Sequence, residues 1–220
     1  MEGKLEFIEA TWRKIKAWIS WVGLKLKEVR TLSRRDVWVL KELNIPVKPI
    51  KEKGIKVVRW QRPMQGWYKL NTDGCCLGNP GICGAGCIIR NEKGDIVIAF
   101  TKYLGEGTNN GAELLVLLYG LRRAKRMGLN RLEVELDSLI IVNWLKRKVC
   151  GIRYLEDYWE EIQYLLSIIS CRVQHIHCEG NLVANILSKL GASSVSHIWM
   201  DSIAIPSSVR GALRMDKLDI

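Results

Sequence analysis

Three acids sit where a solvated surface does not account for them. Asp73 falls at the end of the alternating run Trp67–Gly74, directly before a glycine at which the chain must turn tightly. Glu113 follows TNNGA and enters a segment, Ala112–Met127, that is apolar on nearly every side. Asp137 comes after the alternating run Arg131–Leu136 and precedes Ser138 at a helix start. None has a basic residue beside it in the chain. Acids so placed must be neutralised, and a hard divalent cation with oxygen ligands is the usual means. Taken singly, each has a plainer account: a turn residue for Asp73, a helix N-cap for Asp137, a first-turn acid favoured by the helix dipole for Glu113. It is the three together that point to a metal.

The elements that must hold these acids can be read from hydrophobic periodicity. Strands are predicted over Trp67–Gly74, Cys83–Arg90 and Asp95–Tyr103, with 91–94 as a hairpin connection. A buried central helix follows over Ala112–Met127, with Gly128 as its stop. Arg131–Leu136 is a fourth strand, Ser138–Arg147 and Tyr154–Ile169 are helices, Cys171–His177 is a fifth strand and Asn181–Leu190 a last helix. Three strands, then helix, strand, helices, strand and helix describe an α/β fold: a five-stranded mixed sheet with helices on both faces. Residues 44–66 hold three of the five prolines and read as a linker, and 192–220 read as a C-terminal tail.

Composition narrows the class. The 220 residues carry 34 Lys and Arg against 23 Asp and Glu, a formal charge of +11, which suits a nucleic-acid partner. Residues 1–60 hold 15 of those cations and 7 of the acids, so the charge is concentrated there. A hydrophobic content of 48% with 26% charged residues excludes a disordered or fibrous chain. Apolar runs such as 114–121 are far short of the ~20 residues that cross a bilayer, so no membrane role is expected. The first ten residues interleave acids with no apolar core of a signal. The expectation is an intracellular protein, nuclear or cytoplasmic, not a secreted one. The seven cysteines form no CxxC pair and read as reduced thiols.

Within 1–43, apolar residues recur at Ile8, Trp12, Ile15, Ile19, Val22, Leu26 and Val29, a heptad stripe predicting a basic amphipathic helical extension. Packing of residues 8–29 on their own domain or on a partner helix is favoured over a basic arm along a phosphate backbone, because seven stripe residues need burial.

Several motifs carry a family resemblance. KLNTDG (69–74), GNPG (78–81), GCIIR (86–90), TNNGAE (108–113), DS (137–138) and HIHCEGNLVANILSKLG (175–191) resemble, in order and separation, the motifs of type 1 ribonuclease H-like domains derived from plant non-LTR retroelements. The resemblance spans 67–191 and implies a ribonuclease H-like fold. It also implies cleavage of the RNA strand of RNA/DNA hybrids by a metal-dependent endonuclease using two Mg²⁺ ions, with Mn²⁺ as a substitute. Asp73, Glu113 and Asp137 match three of the family's four metal-binding acids. The fourth position is Asn185, within Ala184-Asn185 where the family has Ala-Asp. An asparagine offers an amide oxygen but no charge, so reduced activity or a higher metal requirement is expected.

His175, ten residues before Asn185, matches a histidine that moves protons in several members of the wider family. Strand alternation also puts it on one face with Val173 and His177, which would make it merely structural. By the same resemblance Gly74, Cys76, Asn79, Asn109, Asn110 and Ser138 contact the hybrid. Such duplexes are read through the shallow minor groove by 2′-hydroxyl and phosphate contacts. The competing function is a non-catalytic nucleic-acid-binding retroelement remnant with a crippled metal site.

Overall fold

The computed structural model describes residues 2–25, 33–43, 45 and 58–217. The chain divides into two compact units, 1–56 and 57–220.

The first unit contains helices α1 (Glu2–Lys25) and α2 (Arg34–Glu42). A capping box starts α2: the Asp36 amide donates to Ser33 Oγ at 3.1 Å, and the Ser33 amide to Asp36 Oδ2 at 2.8 Å. The predicted extension is therefore helical. The expected burial of its stripe is not seen where side chains are described, because Ile8, Trp12 and Ile15 are exposed and Ile19 is half-buried. Leu26 and Val29, and the side chain of Val22, lie outside the described residues.

The second unit is built on a sheet of β1 (Tyr68–Gly78), β2 (Gly81–Arg90), β3 (Ile96–Gly107), β4 (Arg131–Leu136), β5 (Ser170–His175) and β6 (His197–Trp199). The strand order is β5-β4-β1-β2-β3-β6. β1, β2 and β3 form an antiparallel meander, whereas β4 runs parallel to both β1 and β5. The helices are α3 (Asn109–Arg126), α4 (Leu139–Arg147), α5 (Glu156–Ile168), α6 (Leu182–Ala192) and α7 (Ser207–Lys217).

Period-two alternation divides the core. Leu70, Cys87 and Ile89 face α3, α4 and α5, while Ile88 and Ala99 face α6 and α7. Five of the strands are those predicted, and helices cover both faces. The sixth, β6, pairs antiparallel with β3 at Ala99, Phe100 and Thr101. It lies in 192–220, expected as a tail. That segment instead closes the second core layer, with Trp199, Ile205, Val209, Ala212 and Leu213 buried against Val183 and Leu187. A three-residue strand and a helix with few apolar residues leave too little pattern for sequence to show.

The expected linker also does more than connect, at least in the part described. Trp60 is buried, and the Arg90 guanidinium stacks 3.4 Å from its ring centroid. Trp60 Nε1 donates to Asn71 Oδ1 at 3.0 Å, and Arg90 Nη2 donates to the same oxygen at 2.9 Å. Arg90 also pairs with Asp216 of α7, while Lys69 pairs with Glu135 at 2.6 Å. Buried ions of this kind are tolerated because each has a partner. Together they form a polar ladder over β4, β1 and β2, strapped down by residues from both ends of the unit.

The cysteine expectation is corrected. Cys76 and Cys83 are joined as a disulfide, while Cys75, Cys87, Cys150, Cys171 and Cys178 are free. The two are directly opposed in the β1–β2 register, with Cα atoms 3.9 Å apart. The short turn around Asn79-Pro80 sets that register, and it brings the sulfurs together.

Candidate metal centre

The centre is assembled where β1, β4 and α3 meet. Asp73 lies within β1, and the parallel register sets Thr72 opposite Leu136, so Asp73 and Asp137 emerge side by side. Glu113 comes from α3, whose start is capped by Thr108: the Gly111 amide donates to Thr108 Oγ1 at 3.2 Å. The helix thus begins three residues before the predicted Ala112. Glu113 falls beyond the first turn, and the helix-dipole account of this acid does not hold.

Gly74 explains how α3 comes so close. A Cβ at Gly74 would collide with the Ala112 carbonyl carbon and the Glu113 amide nitrogen. Only a residue without a side chain lets the α3 backbone lie on β1 here. The Gly74 backbone in turn hydrogen-bonds the Glu113 carboxylate. Gly74, expected against substrate, is buried and builds the site through its backbone.

One carboxylate oxygen from each of Asp73, Glu113 and Asp137 lies within 4.8 Å of the others. Asp73 and Glu113 are buried at 4% and 8% exposure, and Asp137 is half-buried. Burial, then the charge of Asp137, pushes the Asp73 carboxyl up to about 7. Burial, then the charges of Asp73 and Asp137, pushes Glu113 well above the usual carboxylate range. Asp137 is raised as well, chiefly by burial. Three carboxylates in a low-dielectric pocket cannot all ionise without a counter-charge. Glu113 Oε2 and Asp137 Oδ1 are buried with no hydrogen-bond partner among the described residues. Unsatisfied hard oxygens on a like-charged cluster are the donor set a divalent cation takes.

Ser188 of α6 and Asn181, the residue just before that helix, are two that sequence reading missed. Ser188 Oγ donates to Asp73 Oδ2 and lies 2.9 Å from the Asn185 carbonyl oxygen. Asn181 Nδ2 donates to the Thr72 carbonyl at 2.9 Å, and its side chain also bonds Asp137. α6 reaches β1 across β2 because Gly86, paired with Asp73, lies against the Ala184 carbonyl and the Ser188 amide. Nothing in the sequence pattern marks Ser188, a lone serine in a largely apolar helix.

Asn185 is half-buried on the turn of α6 that precedes Ser188. His175 ends β5 with Nε2 3.1 Å from the Asp137 carbonyl oxygen, its ring edge-on to His177 at 5.4 Å.

Of the remaining predicted residues, Cys76, Asn79, Asn109 and Asn110 group at the β1–β2 turn and the start of α3, and Ser138 stands apart at the start of α4. The Asn109 amide donates to Asn79 Oδ1 at 3.1 Å, and the Cys76 amide donates to Asn109 Oδ1 at 2.9 Å. Both side-chain oxygens are engaged internally, leaving the amide NH₂ groups of two exposed residues to face outward contacts. Asn110 is half-buried beside them. Ser138 caps α4, accepting from the Ile141 amide at 3.4 Å.

A meander followed by parallel β4 and β5, with helices on both faces and three acids where β1, β4 and α3 converge, defines a ribonuclease H-like domain. The sequence profile of the reverse transcriptase-like family matches residues 71–191, more than half of the chain, and the chain belongs to that family. It is 31% identical over 164 residues to a candidate ribonuclease H protein of Arabidopsis thaliana, an alignment covering 74% of this chain and 26% of that one. A ribonuclease H of a Ruegeria species is 36% identical over 83 residues, 36% of this chain and 52% of its own. LC11-RNase H1, isolated from compost, superposes in its complex with an RNA/DNA hybrid at a TM-score of 0.52 and 28% identity. That superposition covers 58% of this chain and 97% of the other. The chain therefore spans about a quarter of the Arabidopsis relative and half of the Ruegeria one. Among the described residues, no helix is long and apolar enough to cross a membrane.

Proposed function

We propose that the chain is a metal-dependent endonuclease that hydrolyses the RNA strand of RNA/DNA hybrids. The observation carrying this reading is the cluster of Asp73, Glu113 and Asp137, whose oxygens converge within 4.8 Å with two of them unpartnered. Relatives named ribonuclease H, and the hybrid bound by LC11-RNase H1, support the substrate class.

Asp73, Glu113 and Asp137 would hold two Mg²⁺ ions, and Asn185 would add an uncharged oxygen in place of a fourth carboxylate. When bound, such ions acidify a water and offset charge at the scissile phosphate and the leaving O3′. The chain's own residues do the positioning. Asp73, on β1, is held by Ser188 from α6. Gly74 keeps Glu113 against β1. His175, beside the Asp137 backbone, moves the proton of the attacking water. Water oxygen bonds to phosphorus, the bond to O3′ breaks, and a 3′-hydroxyl and a 5′-phosphate result. Asn79, Asn109 and Asn110 present neutral donors to the minor groove, where 2′-hydroxyls distinguish RNA.

Asn185 favours a second reading, a binder that holds hybrid without cutting it, because the centre has one negative charge fewer than four acids would give. Incubating hybrid with the protein and Mg²⁺ or Mn²⁺, beside Asp73→Asn, separates the two. Metal-dependent RNA cuts absent from the variant establish the nuclease. Hybrid retained uncut with both metals establishes the binder.

A further inference from the structure

A second feature lies away from the carboxylates, where the C-terminal half of α3 faces the β3–β6 edge of the sheet. An open groove of about 690 Å³ runs there, lined by Lys102, Tyr119, Arg122, Arg123, Arg126 and His197 among others. No acid lines it. Tyr119, Arg122, Arg123 and Arg126 follow three- and four-residue steps and so share a helix face. Lys102 comes from β3, so cations of two elements converge, with the His197 ring of β6 beside them.

The pairing of these cations matters. Arg122 is ion-paired with Glu161 of α5. Lys102, Arg123 and Arg126 have no carboxylate partner among the described residues. Lys102 is held into the groove by its ammonium lying 4.1 Å from the Tyr119 ring centroid. Cations near a helix C-terminus answer the helix dipole, which accounts for Arg123, Lys125 and Arg126. It does not account for Lys102, which belongs to a strand.

We propose that this groove binds the phosphodiester backbone of a single nucleic-acid strand, at a site separate from the carboxylate centre. Single strands are bound elsewhere by this combination of a basic groove and an aromatic ring. Tyr119 to Arg126 covers roughly 10 Å of helix, enough for consecutive phosphates of one strand, with Lys102 of β3 as a third contact. The proposal stands independently of the nuclease reading.

The test uses the full chain, a fluorescent oligothymidylate about twelve nucleotides long, and EDTA, with binding followed by anisotropy across a salt series. Lys102→Ala with Arg123→Ala and Arg126→Ala is expected to weaken binding at least tenfold and to reduce the salt slope by about 2, near 0.7 per lost phosphate contact. Lys93→Ala with Lys125→Ala and Arg131→Ala removes the same charge outside the groove and is expected to change affinity by less than twofold. Arg123→Lys with Arg126→Lys keeps the charge and is expected to retain most of the binding. Equal thermal melts exclude misfolding of the first variant. Wild-type affinity in that variant overturns the proposal, as does an equal loss in the outside set. Displacement of the strand by poly-glutamate as readily as by unlabelled oligonucleotide overturns it in favour of an acidic protein segment. Asp73→Asn is expected to bind the strand normally, so failure of hybrid cleavage and failure of the groove remain distinguishable.

Discussion

The Ser188 hydroxyl on α6 donates to Oδ2 of Asp73 on β1, across a sheet position kept clear by Gly86. This bond favours the ionised form of Asp73, opposing the burial that raises its pKa. Ser188→Ala is expected to fold, losing about 1 kcal/mol, and to bind metal several-fold more weakly. Calorimetric titration with Mn²⁺ measures this without reference to turnover. Unchanged affinity would mean that the hydroxyl only packs.

The raised pKa values predict how the metal-free protein responds to pH. A carboxyl whose folded value is about 7 against 3.8 when unfolded binds its proton more tightly in the folded state. Its contribution to stability is complete below pH 3.8 and is lost as pH rises through 7. In EDTA, Asp73→Asn is therefore expected to melt a few degrees higher than wild type at pH 8, with the difference shrinking towards pH 5. Added Mn²⁺ should reverse the order by stabilising wild type alone. Thermal melts at the two pH values, with and without metal, check the sign.

Much of this centre was legible in the chain because strand alternation and helix periodicity are local: Asp73 and Asp137 read as the ends of two strands, and Glu113 as an acid entering a buried helix. The parallel pairing that sets β4 beside β1 joins residues some 64 positions apart and carries no local signal. Ser188 was hidden because a serine in an apolar helix carries no pattern of its own until the tight approach of α6 to Gly86 is known. The Cys76–Cys83 pairing could have been read from the short turn between the strands, but cysteine counting overlooked register. Trp60 and α7 were missed for another reason. Proline content marked 44–66 as a linker and weak periodicity marked 192–220 as a tail, yet both contribute buried side chains to the sheet.

The polar ladder makes the last helix part of the domain. Asp216 neutralises Arg90, which is 1% exposed, and Asp216→Ala would leave that guanidinium buried without its ion partner. A loss of about 3–5 kcal/mol is expected, lowering the melting temperature by roughly 10 °C. Arg90→Met with Asp216→Leu, which removes both ions, should recover most of it. A surface-like loss below about 0.5 kcal/mol in the single variant would contradict the role assigned to α7.

Asn185 sets the metal requirement. Restoring a charge with Asn185→Asp is expected to lower the metal concentration for half-maximal hybrid cleavage by about tenfold or more, as one added charged ligand would, and to raise the rate with Mg²⁺. Identical rates and identical metal dependence would show that this position does not face the reacting phosphate.

The central claim is tested most directly by strand-resolved cleavage with end-group analysis. A hybrid carrying different labels on its RNA and DNA strands is incubated with the protein and Mg²⁺ or Mn²⁺, alongside Asp73→Asn and an all-DNA duplex. The account predicts cuts in the RNA strand alone, leaving 3′-hydroxyl and 5′-phosphate ends, dependent on metal and absent from the variant. Intact RNA under both metals, or cuts that persist in Asp73→Asn, would contradict it.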